Sequence, residues 1–308
     1  MDFKFTNPEM TENKKDEKLA VVFSGSYEDS PENEEIYIED GIVEIAENAF
    51  RGFKYLRRIH FPASLRLISA AAFSGCENLE SVDMNHGLEE ILDEAFSSCP
   101  SLSVITMPDT VKRVGEGAFE GCAALSKIRF SESLLMIGAS AFAFCFNLRD
   151  VVIPDSCVLV EFNAFASCFS LESVKLSDNM GLIDESTFEG CRSLSVAELP
   201  ARLSRIGRRA FKGCSSLSSL ILPSGVREIG LDAFAACSSL KRIAIPKDVR
   251  ELEDEDVFGG CDSLTDISFG GSREGWELLT HGKTLTVEKS DLSLFTPTVT
   301  FLNLKNEV

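Results

Sequence analysis

The side chains that most often carry out catalysis or bind metals are few in this chain, apart from its cysteines. Its three histidines, His60, His86 and His281, are spread over about 220 residues, and it has no G-x-S-x-G elbow, H-E-x-x-H motif or Walker loop. The glycines of Gly115–Gly121 have the wrong spacing for a phosphate loop. The acidic run Glu251–Asp256 is better explained as a solvated loop than as a Ca²⁺ site. We therefore expect no catalytic site, no cofactor and no bound metal.

The ten cysteines are many for a chain of 308 residues. Nine of them recur in series, at Cys76, Cys99, Cys122, Cys145, Cys168, Cys191, Cys214, Cys237 and Cys261, whereas Cys157 lies elsewhere. A zinc site needs four ligands that converge on one point, which a series does not provide. We interpret these residues as small buried hydrophobic side chains. Disulfides between some neighbours remain an alternative, since Cα atoms about 5 Å apart permit a bridge although parallel Cβ vectors disfavour it.

These cysteines belong to a repeat of 23 residues. Each of the nine series cysteines stands three positions after a phenylalanine. We call the ten phenylalanines at this place of the repeat the ladder phenylalanines: Phe50, Phe73, Phe96, Phe119, Phe142, Phe165, Phe188, Phe211, Phe234 and, after one step of 24, Phe258. A leucine stands six residues after every one of them, apolar residues follow at nine and eleven, and proline often comes next. Such self-similarity is typical of a solenoid, in which stacked repeats bury one continuous core.

Each repeat predicts its own local structure. The alternation in L-x-x-I-x-I-P predicts one short parallel strand with its apolar residues inward. The V-x-x-I-G stretch predicts a second short extended segment, and A-F-x-x-C is too brief for more than one helical turn. The chain is therefore expected to be dominated by β-structure.

The unit A-F-x-x-C-x-x-L-x-x-I-x-I-P-x-x-V-x-x-I-G, clearest at Ala118–Gly138 and Ala210–Gly230, resembles the repeat of the BspA-type leucine-rich-repeat family. The resemblance implies a β-dominated α/β fold: a right-handed leucine-rich-repeat solenoid, or horseshoe, with one short parallel strand per repeat, short helical turns and terminal caps. It predicts an N-terminal cap at 1–41, an array of about ten repeats at 42–269 and a C-terminal cap at 270–308.

Both ends look like caps, which keep the terminal coils from exposing their core. Phe269–Trp276 is similar to an element that often closes the family's arrays, although Gly275 replaces the usual Glu. We expect strands of this cap at 284–287 and 298–302. At the other end, residues 19–23 and 36–38 are expected to cover the first coil.

Composition limits the partners and the location. With 30 Lys and Arg against 49 Asp and Glu, the net charge of -19 argues against nucleic acid. No run of 18 apolar residues predicts a membrane span. The family resemblance implies a secreted or cell-surface protein, but the amino terminus has no apolar signal-peptide core, so a cytoplasmic location is the alternative.

In a horseshoe of this family, the positions seven, eight and ten after each ladder phenylalanine face the hollow, and we call them the strand strip. Eight cations and six anions give these thirty positions a charge of +2, which favours an acidic or mixed-charge protein segment. The alternative is that strand surfaces simply favour such residues. The strip has no Trp, Tyr or Phe, so glycan binding is disfavoured. The candidate partner-binding residues, to which His60 belongs by the same geometry, are Arg57, Arg58, His60, Asp83, Lys127, Arg129, Arg149, Lys175, Glu198, Lys241 and Arg242.

A second candidate surface is aromatic. Phe144, Phe146, Phe162 and Phe169 occupy positions that are mostly glycine or polar in other repeats. Exposed aromatic groups mark contact sites, so these residues predict a site for a partner or for self-association. The alternative is that one or more of them fills space inside the coil.

Together these features predict a non-catalytic leucine-rich-repeat protein that binds other proteins. The resemblance implies adhesion or contact with a host or cell surface. A cytosolic or delivered interaction scaffold is the alternative, and an enzyme is the least favoured interpretation.

Overall fold

The computed structural model describes residues 21–25, 27–252, 255–281, 287–289 and 294–302. The chain divides into two compact units, residues 1–148 and 149–308. Each unit is a parallel β-solenoid with very little helix, so the predicted fold class is confirmed. Much of the predicted 1–41 cap, including residues 19 and 20, lies outside the described residues, as do residues 284–286. The three predicted domain bounds stay a prediction.

The first unit alternates two kinds of strand, and from β4 onward these are three and two residues long. Its strands are β1 (Val21–Phe23), β2 (Glu35–Tyr37), β3 (Ile42–Ile45), β4 (Arg58–His60), β5 (Leu67–Ile68), β6 (Ser81–Asp83), β7 (Glu90–Ile91), β8 (Val104–Thr106), β9 (Arg113–Val114), β10 (Lys127–Arg129) and β11 (Met136–Ile137). The longer strands are those that L-x-x-I-x-I-P predicts. The second extended segment of each repeat is the two-residue strand.

Neighbouring repeats of the first unit pair in parallel. Strands β1, β3, β5, β7, β9 and β11 form one sheet, while β2, β4 and β6 form a second and β8 pairs with β10. The register joins identical positions, such as Ile59 with Val82 and Ile105 with Ile128. Inward and outward side chains therefore form continuous rows along the stack.

The second unit continues the same pattern up to its terminal elements. Its elements are β12 (Asp150–Val152), β13 (Leu159–Val160), β14 (Ser173–Lys175), β15 (Leu182–Ile183), β16 (Val196–Glu198), β17 (Arg205–Ile206), β18 (Ser219–Ile221), β19 (Glu228–Ile229), β20 (Arg242–Ile245), β21 (Glu251–Leu252), β22 (Asp266–Phe269), α1 (Arg273–Leu279), β23 (Val287–Glu288), β24 (Leu294–Phe295) and β25 (Thr298–Phe301). Parallel sheets form in the orders β12-β14-β16, β15-β17-β19-β21 and β18-β20-β22-β25, and β23 pairs antiparallel with β24. Two short 3₁₀ turns, Pro31–Asn33 in the first unit and Glu255–Phe258 in the second, complete the elements.

The core is a stack of aromatic rings in each unit. Ring centroids of consecutive ladder phenylalanines lie 4.9 to 5.3 Å apart in the first unit and 5.5 to 5.8 Å apart in the second, with nearly parallel planes. Nine of these ten residues are fully buried and Phe258 is 1% exposed. Phe23 of β1 extends the first stack, 5.2 Å from Phe50. The repeat thus builds one continuous hydrophobic column per unit.

The A-F-x-x-C segments are single turns, as predicted. The N–H of Cys76 donates to the carbonyl of Phe73, three residues earlier. Its thiol donates to the carbonyl of Phe50 at 3.0 Å, and seven further series cysteines make the same contact at up to 3.3 Å. All ten cysteines are buried free thiols, in keeping with the interpretation as small hydrophobic residues. Burial raises the pKa of the Cys122 thiol to about 12.

Among the described residues, further elements lie next to the first and the last repeats, and the two caps stay a prediction. Ile36 is buried in β2, which pairs with β4 of the first coil. At the other end, the ring of Trp276 packs 5.3 Å from Phe269, and the hydroxyl of Ser272 accepts from the N–H of Gly275 to start α1. Strand β25 then pairs with β22. Within the described residues, no helix combines the length and the apolar character that a membrane span requires.

Candidate binding surfaces

The three-residue strands decide which residues of the strand strip reach solvent. In β4 the middle residue, Ile59, is fully buried, whereas Arg58 points outward and is exposed. The same alternation places the strip residues at positions eight and ten on the outer side of their sheets, while Arg57, Arg149 and Lys241 immediately precede their strands. Ten of the eleven predicted strip residues are exposed, and His60 is half-buried.

In the first unit's part of the strip, several charged side chains form ion pairs with side chains of neighbouring repeats. Arg57 contacts Glu80 at 2.6 Å and Glu34 at 3.6 Å, one repeat away on either side. Arg129 donates to the carboxylate of Asp109 at 2.8 Å and to the carbonyl of Met107 at 3.0 Å. These guanidinium groups are therefore held by the protein's own acceptors.

His60 lies in a small cluster of hydrogen-bonding groups. Its Nε2 is 2.8 Å from Glu35 Oε1, and its Nδ1 is 2.7 Å from Asp83 Oδ2. The Tyr37 ring stacks on the imidazole with centroids 4.2 Å apart. Hydrogen bonds from His60 and Tyr37 lower the pKa of Glu35. When both ring nitrogens of His60 are protonated, the imidazole donates to two carboxylates and joins three strands.

Strand β2 adds a residue that the strip of thirty positions does not include. Tyr37 occupies the outward position beside His60 and is 64% exposed. An aromatic ring is thus present on this sheet, although the repeat positions themselves have none. The sequence signal was the register, since Tyr37 precedes His60 by 23 residues.

The second unit's part of the strip has a different chemistry. Ile221 is 78% exposed, Val152 61% and Val196 50%. The other two strip positions in the repeat of Ile221 are serines, Ser218 and Ser219. The Nη1 of Arg149 lies 3.8 Å from Oε1 of Glu172. Among the residues that the structure describes, Lys175, Lys241 and Arg242 are exposed and form no ion pair.

The four aromatic residues of the second candidate surface are divided between the units. In the first unit, Phe144 is 43% exposed and Phe146 38%, and their rings meet edge to face with centroids 6.3 Å apart. In the second unit, Phe162 is 47% exposed, whereas Phe169 is half-buried beneath the guanidinium of Arg192, 4.5 Å from its ring centroid. Outward placement therefore holds for three of the four rings, and the role of this surface stays a prediction.

The ion pairs were missed from the sequence although a signal for them exists. Opposite charges stand one repeat apart at Glu34, Arg57 and Glu80, and also at Glu89 and Lys112, which are 2.8 Å apart in the structure. A spacing of one repeat places two side chains next to each other on neighbouring strands or turns. Reading charges along the repeat, rather than along the chain, would have predicted these pairs.

Comparison with known proteins agrees with the repeat architecture. The family model described as BspA type leucine rich repeat region, in six copies, matches residues 21–149 and 135–265. No functionally curated protein matches the chain.

Among solved structures, a leucine-rich-repeat protein of T. pallidum is 30% identical, with 64% of this chain and 83% of that one covered and a TM-score of 0.48. A leucine rich cell surface protein from Faecalibacterium prausnitzii is 24% identical, covering 84% and 92%, with a TM-score of 0.44. The pneumococcal vaccine antigen PcpA is 20% identical, covering 88% and 89%, with a TM-score of 0.46. The family model spans most of the array, and on this basis the chain belongs to the BspA-type leucine-rich-repeat family.

Proposed function

We propose that this protein is a non-catalytic binding protein that contacts a protein partner through the strand strip, and that this contact serves adhesion to a host or cell surface. Family membership supports the general role of a protein-binding repeat protein. Support for a surface role comes from similar proteins, one of which is described as a cell surface protein and another as a vaccine antigen.

The observation that carries the proposal is the exposure of three apolar residues on the second unit's part of the strip. At least half of the surface of each of Ile221, Val152 and Val196 is exposed to solvent. Interfaces bury apolar residues at their centre and keep charged residues at the rim. Here Lys175 lies beside Val152, and the strip of this unit holds four cations and four anions in all, which suits a partner segment that carries charges of both signs beside apolar residues.

The test is binding of the fluorescently labelled full chain to intact epithelial cells, before and after protease treatment of the cells. We expect saturable binding that protease removes. The variant Ile221→Lys should weaken this binding about tenfold or more, because it places a charge at the centre of the contact. The matched control is Val158→Lys, since Val158 is also apolar, belongs to the same unit and is 59% exposed, but lies outside the strip.

The outcomes separate the parts of the proposal. Equal loss with both variants, or no effect of Ile221→Lys, would remove the strand strip as the binding site. The full chain is also cross-linked to proteins of a cell extract and of intact cells. If proteins are captured from the extract by the wild-type chain but not by Ile221→Lys, and none are captured from intact cells, the scaffold alternative holds and the adhesion role does not.

A further inference from the structure

The first unit contains a bulky residue in a backbone conformation that normally selects glycine. Phe144 has φ of 61°. The position two residues after the ladder phenylalanine adopts positive φ in every repeat, and it is glycine in six of ten. A phenylalanine in this left-handed region is strained by contact of its Cβ with the backbone. Such strain persists where the side chain has a use that compensates for it.

The ring of Phe144 does not repay this strain by entering the core. Its side chain is 43% exposed, and it meets the ring of Phe146, which is 38% exposed, edge to face at 6.3 Å. The two rings present an aromatic surface at the turn that follows the ladder phenylalanine Phe142. This surface is distinct from the one invoked for the proposed function.

The second unit indicates what an aromatic residue on this turn can bind. Phe169 occupies the position four residues after its ladder phenylalanine, which is the position of Phe146 in its own repeat. Arg192, at the same position one repeat later, places its guanidinium 4.5 Å from the centre of the Phe169 ring. That distance is within the range of a cation–π interaction.

The excess of acidic residues in the repeats that precede Phe144 also favours the binding of a cation. Residues 77–148 contain four Lys or Arg and eleven Asp or Glu, a net charge of -7. The N–H of Gly121 donates to the carbonyl of Ala143, so Glu120 lies beside the turn that carries Phe144. Burial, with the carboxylates of Glu94 and Glu116, raises the pKa of Glu120. An approaching cation would relieve this repulsion.

We infer that Phe144 and Phe146 form a docking site for an arginine-bearing segment of a protein partner. The guanidinium stacks on the exposed rings, as Arg192 does on Phe169, and the acidic coils attract the segment. The strain at Phe144 is retained because its ring is needed at the surface rather than in the core.

The first experiment measures stability, because the inference requires that Phe144 costs stability. Phe144→Gly should raise the thermal midpoint of the full chain by about 1 to 4 °C, since glycine adopts this conformation without strain. Ser98→Gly is the matched control, with φ of 57° at the same position of an earlier repeat. It should also raise the midpoint and leave binding unchanged. A lower midpoint for Phe144→Gly would mean that the ring packs structurally, and would overturn the inference.

The second experiment measures binding of blocked peptides to the full chain labelled with ¹³C-phenylalanine. We expect Gly-Arg-Gly-Arg-Gly to shift the ring signals of Phe144 and Phe146 saturably, the lysine analogue to bind more weakly and the glutamate analogue to cause no shift. Phe144→Gly should weaken arginine-peptide binding about 2- to 5-fold, as expected for the loss of one exposed cation–π contact. Ser98→Gly and Ile221→Lys should retain it, so this inference and the proposed function can fail separately.

Two further outcomes would overturn the inference. One is equal affinity of the wild-type chain and Phe144→Gly for the arginine peptide. The other is a dimer in analytical ultracentrifugation that Phe144→Gly dissociates, because the occupant would then be a second copy of the chain.

Discussion

The strand strips of the two units are built by the same repeat but present different surfaces. In the first unit, Arg57 and His60 contact carboxylates of neighbouring strands. In the second, Ile221 and Val152 are exposed, and Lys241 has no ion pair with any described residue. The charge of +2 for the whole strip is therefore the sum of two unlike surfaces, +2 in the first unit and 0 in the second. A repeat that fixes the inward rows leaves the outward rows free to differ.

The spacing of the rows explains how this difference arises. Identical positions of neighbouring repeats are joined by strand pairing, as Glu35, Arg58 and Ser81 are in the first unit. Opposite charges placed one repeat apart can therefore pair, as Arg57 and Glu80 do. Lys175 and Glu198, both among the described residues, are also in register and form no ion pair with each other. The second unit instead places Ile221 beside Ala244 in the same row. An apolar row of this kind is available to a partner.

The largest expected effect tests whether the inward rows of the units are equivalent. Phe73→Ala and Phe211→Ala should each lower the free energy of unfolding by about 3 to 5 kcal/mol, because each removes one fully buried ring from a stack. Urea denaturation followed by circular dichroism measures both. A difference of more than about 2 kcal/mol between them would show that the two cores are not alike.

A smaller effect tests the ion pairs of the first unit. In a double-mutant cycle of Arg57→Ala and Glu80→Ala, the coupling energy should be about 0.2 to 1 kcal/mol, since both side chains are about half exposed. The coupling should fall as salt is raised. Lys241→Ala in the second unit is the control, and should change stability by less than about 0.5 kcal/mol. Zero coupling at low salt would mean that Arg57 is as available to partners as Lys241.

The smallest effect concerns pH. The pKa of Glu35 is lowered by hydrogen bonds from His60 and Tyr37, so the folded state binds the Glu35 proton less readily than the unfolded state does. This contribution to stability is present above the ordinary pKa of glutamate and is lost as the pH falls through the lowered value. Glu35→Gln should therefore remove part of the drop in thermal midpoint between pH 5 and pH 3. If the thermal midpoints of the wild-type chain and of Glu35→Gln fell in parallel over this pH range, a stabilising role of the hydrogen bonds to Glu35 in the His60 cluster would be contradicted.

The inward half of the structure was predictable because it repeats. The residue types of Phe119 and Leu125 recur at fixed places in all ten repeats and that of Cys122 in nine, and all three residues are fully buried. Their environment is set by the same residues one repeat earlier and later, so the phase of the pattern is enough to place them. The short strands follow for the same reason.

The outward half was not predictable in the same way. Phe146 and Phe169 share one position of the repeat, yet Phe146 is exposed and Phe169 lies beneath Arg192. The prediction for the strip also treated Arg57 and Arg58 alike, although Arg57 is held by two carboxylates. These differences depend on the reach and direction of particular side chains, which the period of the repeat does not specify.

The sequence by itself determined the coil: its period, its inward rows and the strands that alternate with its turns. Stacking forces each residue to contact its own counterpart in the next repeat, and a regular pattern of apolar residues is sufficient to specify such contacts. The tertiary structure alone decided which outward charges are neutralised, that Tyr37 stacks on His60, and that Phe144 reaches solvent from a strained backbone. Those outcomes depend on pairs of residues that come together across repeats, and each pair has its own geometry.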